Sequence, residues 1–380
     1  MPNQAPTLPN PNPAQTTQAQ GQTKKVLSFP ASSYKYDLPA SVSVPASNLS
    51  IASANTLNDI EIPPYGYLRS VRLKFTVSGG AGTAVAGVQD APWNLINSIT
   101  FLDSTSDPIL SLSGFQLYLA NKYGGYGFKD PSRLLSYSPI AATTGNFTFT
   151  LYLPLEFIQR MALGSLGNMN STATYKINLI TNPSTVIYST APTTLPTLTI
   201  TMITQSWAKP PTTDLLGNAL TTAPPLINTT QYWTSQVLSN LSGLTDAQIK
   251  RVGNYYRNII MVSRNSSTGA RQNVLPSGAA LKLDNVVRTY LDVGLIQDRM
   301  QDVYGYHNAI DTPGGIDTGV FIVPLTNDLT NSAGDELRNL YIATLPSSYL
   351  VVNGTWSNTN LELVLNDIAP NGDMFTSQLL

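Results

Sequence analysis

The sequence predicts an all-β chain made of two successive units, each carrying one helix. Three observations lead there. Strand-period alternation recurs along the chain, as in "FTFTLYLPL" at 147–155. A run with paired prolines at both ends, "AKPPTTDLLGNALTTAPPLINT" at 208–229, splits the β-rich region into parts of similar size. Stretches on the two sides of that run match one another in the same order.

Taken from the N-terminus, residues 1–23 hold five prolines in the first thirteen positions, Pro9, Pro11 and Pro13 among them. No charged side chain precedes Lys24 and Lys25. Such a composition cannot bury a core, so it reads as an extended or disordered arm, either a frayed terminus or one that gains order against a neighbour. From about residue 42 the pattern is β. In 147–155, Phe147, Phe149, Leu151, Leu153 and Leu155 point one way, and Thr148, Thr150 and Tyr152 the other. That is a strand with one buried face. "TLTITMITQSW" at 197–207 sets Leu198, Ile200 and Met202 against threonines, and "NLELVLND" at 360–367 repeats the device with Leu361, Leu363 and Leu365. β-Branched residues and Tyr dominate these runs, as strand packing favours.

The internal match has four elements. "YLRSVRLKF" (67–75) lies on "YYRNIIMVS" (255–263) at an offset of 188, aligning Arg69 with Arg257. "SITFLD" (98–103) lies on "VRTYLD" (287–292) at 189, aligning Asp103 with Asp292. A helical pattern follows in each half: Phe115, Tyr118, Leu119 and Tyr123, then Ile296, Met300, Val303 and Tyr304. Both run into Tyr-Gly. "LYLPLEF" (151–157) then lies on "FIVPLTN" (321–327) at 170, aligning Pro154 with Pro324. The expected division is a flexible arm over 1–30, a first unit over 31–210, a linker over 211–230, and a second unit with a C-terminal tail over 231–380.

Composition narrows the function. Charged residues make up only 11% of 380, against roughly 25% in ordinary soluble proteins. The surface is therefore built from Ser, Thr, Asn and Gln, which suits a chain that packs against copies of itself. Net charge is −1 with no basic block, which argues against wrapping nucleic acid. There is no cysteine, hence no disulfide, thiolate catalysis or thiolate metal site. No apolar run reaches transmembrane length, and the N-terminus lacks the basic-then-apolar pattern of a secretion signal.

Chemistry is nearly silent. The single histidine, His307, sits in "YGYHNAIDTPGG", and no G-x-S-x-G elbow accompanies it. The glycine run "SGGAGTAVAG" (78–87) fails both phosphate-loop spacings and reads as a flexible hairpin tip. Asp298 and Asp302 share a helix face beside Arg299 and read as solvated. Asp311 and Asp317 could hold Ca²⁺ through oxygens, although turn chemistry explains them equally. Only four glutamates exist, Glu61, Glu156, Glu336 and Glu362. The expectation is no catalytic residue, no metal and no cofactor.

The segments "APWNLINSITFLDSTSDPILSLSGFQLYLANKYGGYG" (91–127) and "TFTLYLPLEF" (148–157), with the Pro/Gln-rich arm, resemble the double jelly-roll major capsid proteins of the PRD1-type lineage. Tectiviruses belong to it. The resemblance implies two eight-stranded jelly rolls side by side and no enzyme activity. It implies a homotrimer of pseudo-hexagonal outline that tiles an icosahedral shell, over an internal membrane. Partners would be further copies of the chain, neighbouring capsomers, penton or minor capsid proteins and the inner membrane, without sequence-specific nucleic acid. The location implied is the virion, assembled inside the host cell. The arm, through Pro9, Pro11, Pro13, Lys24 and Lys25, would serve assembly, and the loops 182–197 and 264–281 are candidate outward towers. The alternative is a carbohydrate- or receptor-binding β-sandwich of lectin or spike type. A polysaccharide hydrolase using Glu156 or Glu362 is a further reading.

Overall fold

The strands that alternate in sequence form one-sided sheets, and those that do not are buried on both faces. The computed structural model describes Phe29, Ser33 and residues 35–39, 49–125, 131–158, 162–213, 230–304, 317–326 and 341–369. Among the described residues, eight strands of five or more residues build the first half: β1 (Lys35–Pro39), β2 (Asn55–Glu61), β3 (Tyr67–Ser78), β4 (Ile96–Leu102), β5 (Pro108–Leu112), β6 (Phe147–Pro154), β7 (Lys176–Thr181) and β8 (Thr197–Trp207). They pair as two sheets of four, β1-β8-β3-β6 and β5-β4-β7-β2. Neighbours that are distant in sequence, such as β8 beside β3, are what two Greek keys folded together produce. This is a jelly roll. Its core is the paired inner faces, with Phe149 stacked on Phe75 at 4.9 Å and neither exposed. The phases read from sequence hold: Phe147, Phe149, Leu151, Leu153 and Leu155 are all buried, as are Leu198, Ile200 and Met202.

Among the described residues, six strands of five or more residues build the second half: β9 (Gln231–Ile249), β10 (Tyr255–Asn265), β11 (Ser277–Leu283), β12 (Val286–Tyr290), β13 (Val320–Pro324) and β14 (Leu350–Ile368). Two of them, β9 and β14, are 19 residues long and each serves both sheets. Residues 231–238 of β9 pair with 361–368 of β14, which pairs with β10, which pairs with β13. Residues 243–249 of β9 pair with 350–356 of β14, which pairs with β11, which pairs with β12. The order is that of the first half with two pairs of strands fused end to end. Each fused strand turns its corner where the ladder slips, near Asn240 and Gly243 in β9 and near Asn358 in β14, all at positive φ. Positive φ there bends the strand between sheets, as bulges do at barrel corners.

The internal match is realised residue by residue on the strands flanking the helices. Ser70 pairs with Pro154, and Asn258, 188 residues later, pairs with Pro324. The Arg69 carbonyl accepts from the Leu155 amide, and the Arg257 carbonyl from the Leu325 amide. The match of Asp103 with Asp292 is corrected. In both halves a hairpin precedes the helix, so β4 corresponds to β11 and β5 to β12. Asp103 closes the β4–β5 turn through Thr105 and Asp107, whereas Asp292 caps a helix through the Leu295 amide. The Leu-Asp endings share strand-end chemistry, not position.

Among the described residues the α-helices of four or more residues are α1 (Gly114–Tyr123), the single turn α2 (Ser184–Ile187) and α3 (Val293–Tyr304). Ser113 and Gln116 close a capping box at the start of α1. A Cβ at Gly114 would lie 2.0 Å from the Trp93 carbonyl, so only glycine fits where α1 crosses the turn before β4. The glycine run 78–87 is also corrected: it is a packed edge. A Cβ at Gly80 would meet the Thr144 carbonyl at 2.1 Å, and Ala81 bridges Thr194. The loop 182–197 folds back on this edge through Tyr188–Thr190, paired with Ala86–Gly87.

Candidate assembly surfaces

Three surfaces are candidates for assembly: the seam between the halves, the root of the arm, and the outer sheet faces. The seam is built around α1, all of whose residues are buried although three of the ten, Gln116, Asn121 and Lys122, are polar or charged. Ile260 and Val262 of β10, Val320 and Ile322 of β13, and Val364 of β14 share one buried cluster with Phe115 and Leu119 of α1. The second half thus lays the outer face of a sheet on the helix side of the first. Trp233 of β9 also pairs in parallel with Leu110 of β5, so hydrogen bonding is continuous across the seam.

Charged groups fix the register of this contact. Lys122 Nζ donates to both Asp317 oxygens at 2.8 and 2.7 Å, with side chains 6% and 5% exposed, and Tyr123 OH adds a third bond. Arg264 and Arg271 each reach Asp90 at 2.9 Å, and Arg264 also reaches Glu362 at 3.0 Å. Arg257, fully buried, donates at 2.6 Å to the carbonyl of Gly124, where the helix end carries partial negative charge. Burial works against the charge of Arg264, yet Asp90 and Glu362 outweigh it and hold its guanidinium more firmly protonated than usual. At Arg271 burial prevails, aided by the neighbouring Arg264, and lowers its pKa despite Asp90. Buried ion pairs add little net stability, because desolvation opposes their attraction. They penalise any displacement that would leave one partner unpaired, which makes the seam specific.

At the root of the arm, Phe29 inserts edge-on against Tyr67 and Trp207. Beneath it lies Glu156, which accepts from Arg69 Nε at 2.8 Å, Trp207 Nε1 at 2.8 Å and Ser165 Oγ at 3.0 Å. Burial pushes this carboxyl above the usual glutamate range, against the pull of Arg69 and these hydrogen bonds.

No family model and no curated protein matches the sequence. Among solved structures, the chain is similar to the "STIV MCP" at 15% identity and a TM-score of 0.57, over 90% of this chain and 98% of that one. It is similar to a chain in the atomic structure of Sulfolobus Turreted Icosahedral Virus at 16% identity and 0.57, over 89% and 90%. It is similar to the Faustovirus major capsid protein at 8% identity and 0.50, over 88% and 89%. The fold is a double jelly roll. At these identities the fold is what is shared, and it spans nearly the whole of each chain.

In this double jelly roll the residues singled out by sequence are dispersed. Asp317 is committed to Lys122 and Tyr123, so the lysine ammonium stands where a cation would. Glu156 and Glu362 lie in separate networks, with Arg69 and with Arg264. Asp298 and Asp302 are exposed on α3, as expected. Pro9, Pro11, Pro13, Lys24, Lys25, His307, Asp311 and Glu336 lie outside the described residues, as does most of the linker, 214–229. Sequence reasoning missed the seam. Its signal is the run "RNIIMV" at 257–262, apolar without alternation where the matching "RSVRLK" at 69–74 alternates.

Proposed function

We propose that the chain is a major capsid protein whose homotrimers form pseudo-hexagonal capsomers of an icosahedral shell, over an internal membrane. The units are divided as 31–210 and 231–380. What supports the reading most is the combination of a double jelly roll with a seam of buried charge. Two like units locked in one register present six to a trimer, and six units match a hexagonal lattice position. Assembled location in the virion, contacts with penton or minor capsid proteins and contact of the base with the membrane belong to the same reading. In the same reading the arm, residues 1–30, contacts neighbouring capsomers.

Light scattering behind a sizing column tests it. Three copies of the 40.9 kDa chain give about 123 kDa, a mass that persists on dilution. A monomer at every concentration would overturn the capsomer reading. Deletion of residues 1–28 should leave the trimer mass, less the deleted segment, and suppress larger assemblies.

A further inference from the structure

We propose that a groove on the outward side of β6, β3 and β8 binds a small organic anion, with its acidic head on Arg72 and Lys74 and its apolar body on Leu134 and Ile203. The site is independent of the capsomer reading and adds a ligand to a chain otherwise read as purely structural.

The groove measures about 510 Å³ and its lining is mostly apolar. Small-molecule sites have this size and character, with a few polar groups converging to fix the ligand. Its floor follows the ladder. Tyr152, Arg72 and Ile203 stand side by side in one row, and Lys74 stands beside Thr150 in the next. Leu134 adds to the lining.

Arg72 is the group that asks for a ligand. Charged residues are only 11% of this chain, and Arg69, Arg251, Arg264 and Arg271 each meet a carboxylate at 2.7–3.0 Å. Among the described residues, Arg72 and Lys74 meet none. The Arg72 guanidinium lies 4.9 Å from the centre of the Tyr152 ring, and its Nε is buried with no hydrogen-bond partner among the described residues. A buried donor left unmade is costly, and the edge of a guanidinium matches the paired oxygens of a carboxylate or phosphate. Lys74 leaves the same face of β3 two residues on, about 7 Å along the strand. An anion between them meets both cations and relieves their mutual repulsion. The strand's place in the fold does not demand these charges, because the matching positions of the second half are Ile260 and Val262. Ile203 beside Arg72 gives the site an apolar flank, so an acidic head on a short aliphatic or aromatic body satisfies both parts at once.

Calorimetric titration of the full-length protein at low salt tests the site with three probes: octanoate, octyl phosphate and inorganic phosphate. Both octyl probes are expected to bind, the tighter of the two identifying the head, and inorganic phosphate should bind at least about tenfold more weakly for want of buried methylenes. Arg72→Gln and Lys74→Gln should each weaken the octyl probes about tenfold, with unchanged thermal midpoints. Lys74 is exposed, so its variant reads the site even where Arg72→Gln fails to fold. Leu134→Ser should weaken the octyl probes and leave inorganic phosphate unaffected. Absence of octyl binding up to about 10 mM, beyond the range of weak ligands, would overturn the site. So would equal binding by the wild type and both cation variants. Inorganic phosphate bound as tightly as the octyl probes would overturn the organic class of ligand.

Discussion

Removing one partner of the Lys122–Asp317 pair exposes what the seam costs to break. Asp317→Leu strands an ammonium that is 6% exposed, and Lys122→Met strands a carboxylate that is 5% exposed and keeps only the Tyr123 hydroxyl as a charge-stabilising donor among the bonds at this site. An unpaired buried charge costs about 3–5 kcal/mol. At about 2.1 cal/mol/K of unfolding entropy per residue, 380 residues give roughly 0.8 kcal/mol per kelvin, so each single change should lower Tm by about 4–6 °C. The double variant removes both charges and leaves methyl-lined space beside the ring of Tyr118, so it should recover most of that loss. Calorimetry at fixed protein concentration, with all four members of the cycle, reads the coupling directly. Single-variant shifts under about 1 °C, or a double variant no better than the worse single, would refute a dry seam. Two separate transitions in the wild type would refute its rigidity.

Three further outcomes are expected. Gly114→Ala drives a methyl to 2.0 Å from the Trp93 carbonyl and 2.8 Å from Ile96 Cβ, and should cost about 1–3 kcal/mol, read as a lower urea midpoint. Phe149→Ala empties the ring stacked on Phe75 and should cost about 3–5 kcal/mol by the same measurement. Glu156 has its folded pKa raised by burial, so its ionisation opposes folding above the ordinary glutamate value of 4.5. That opposition is relieved as pH falls through the raised pKa toward 4.5. Wild-type stability relative to Glu156→Gln should therefore increase from pH 7 toward pH 4.5, and a decrease over that window would show the carboxylate to be favoured in the fold.

The strand phases and the doubling were legible because both are local. Period-2 alternation at 147–155 and 197–207 states which side chains face a core, and a one-residue error would have put Phe149 in solvent. The Pro154/Pro324 match was correct to the residue because proline at the end of an edge-side strand marks a fixed place in the ladder. The Asp103/Asp292 match failed because aspartate after a hydrophobic strand serves both a turn and a helix cap, and sequence alone does not say which. The turn that would have corrected it, Asp284-Asn285, both at positive φ, is a hairpin signal of the Asx type. The C-terminal part of β14 was legible at 360–367, but the fusion that makes β9 and β14 single long strands was not, since their corners carry the same Asn and Gly that end strands elsewhere.

The seam shows why charge in this sequence was hard to place. A strand that alternates and a strand that does not can form the same strand of the same fold, and they differ in what covers the second face. β3 spends its outward positions on Arg72 and Lys74, while β10 puts Ile260 and Val262 there. The apolar face is the one that is always covered, because the two halves share a chain and their effective concentration never falls. A face covered only after encounter must stay soluble as a monomer, and a large bare apolar patch there would invite indiscriminate contact. Arginine, lysine, threonine and tyrosine at those positions meet that requirement. On this reasoning, replacing Arg72 and Lys74 with the Ile and Val of their counterparts should turn a reversible surface into an adhesive one: aggregation during expression at physiological salt, measured as the insoluble fraction. A variant that stays as soluble and as oligomeric as the wild type would mean that the face is not held open for a partner.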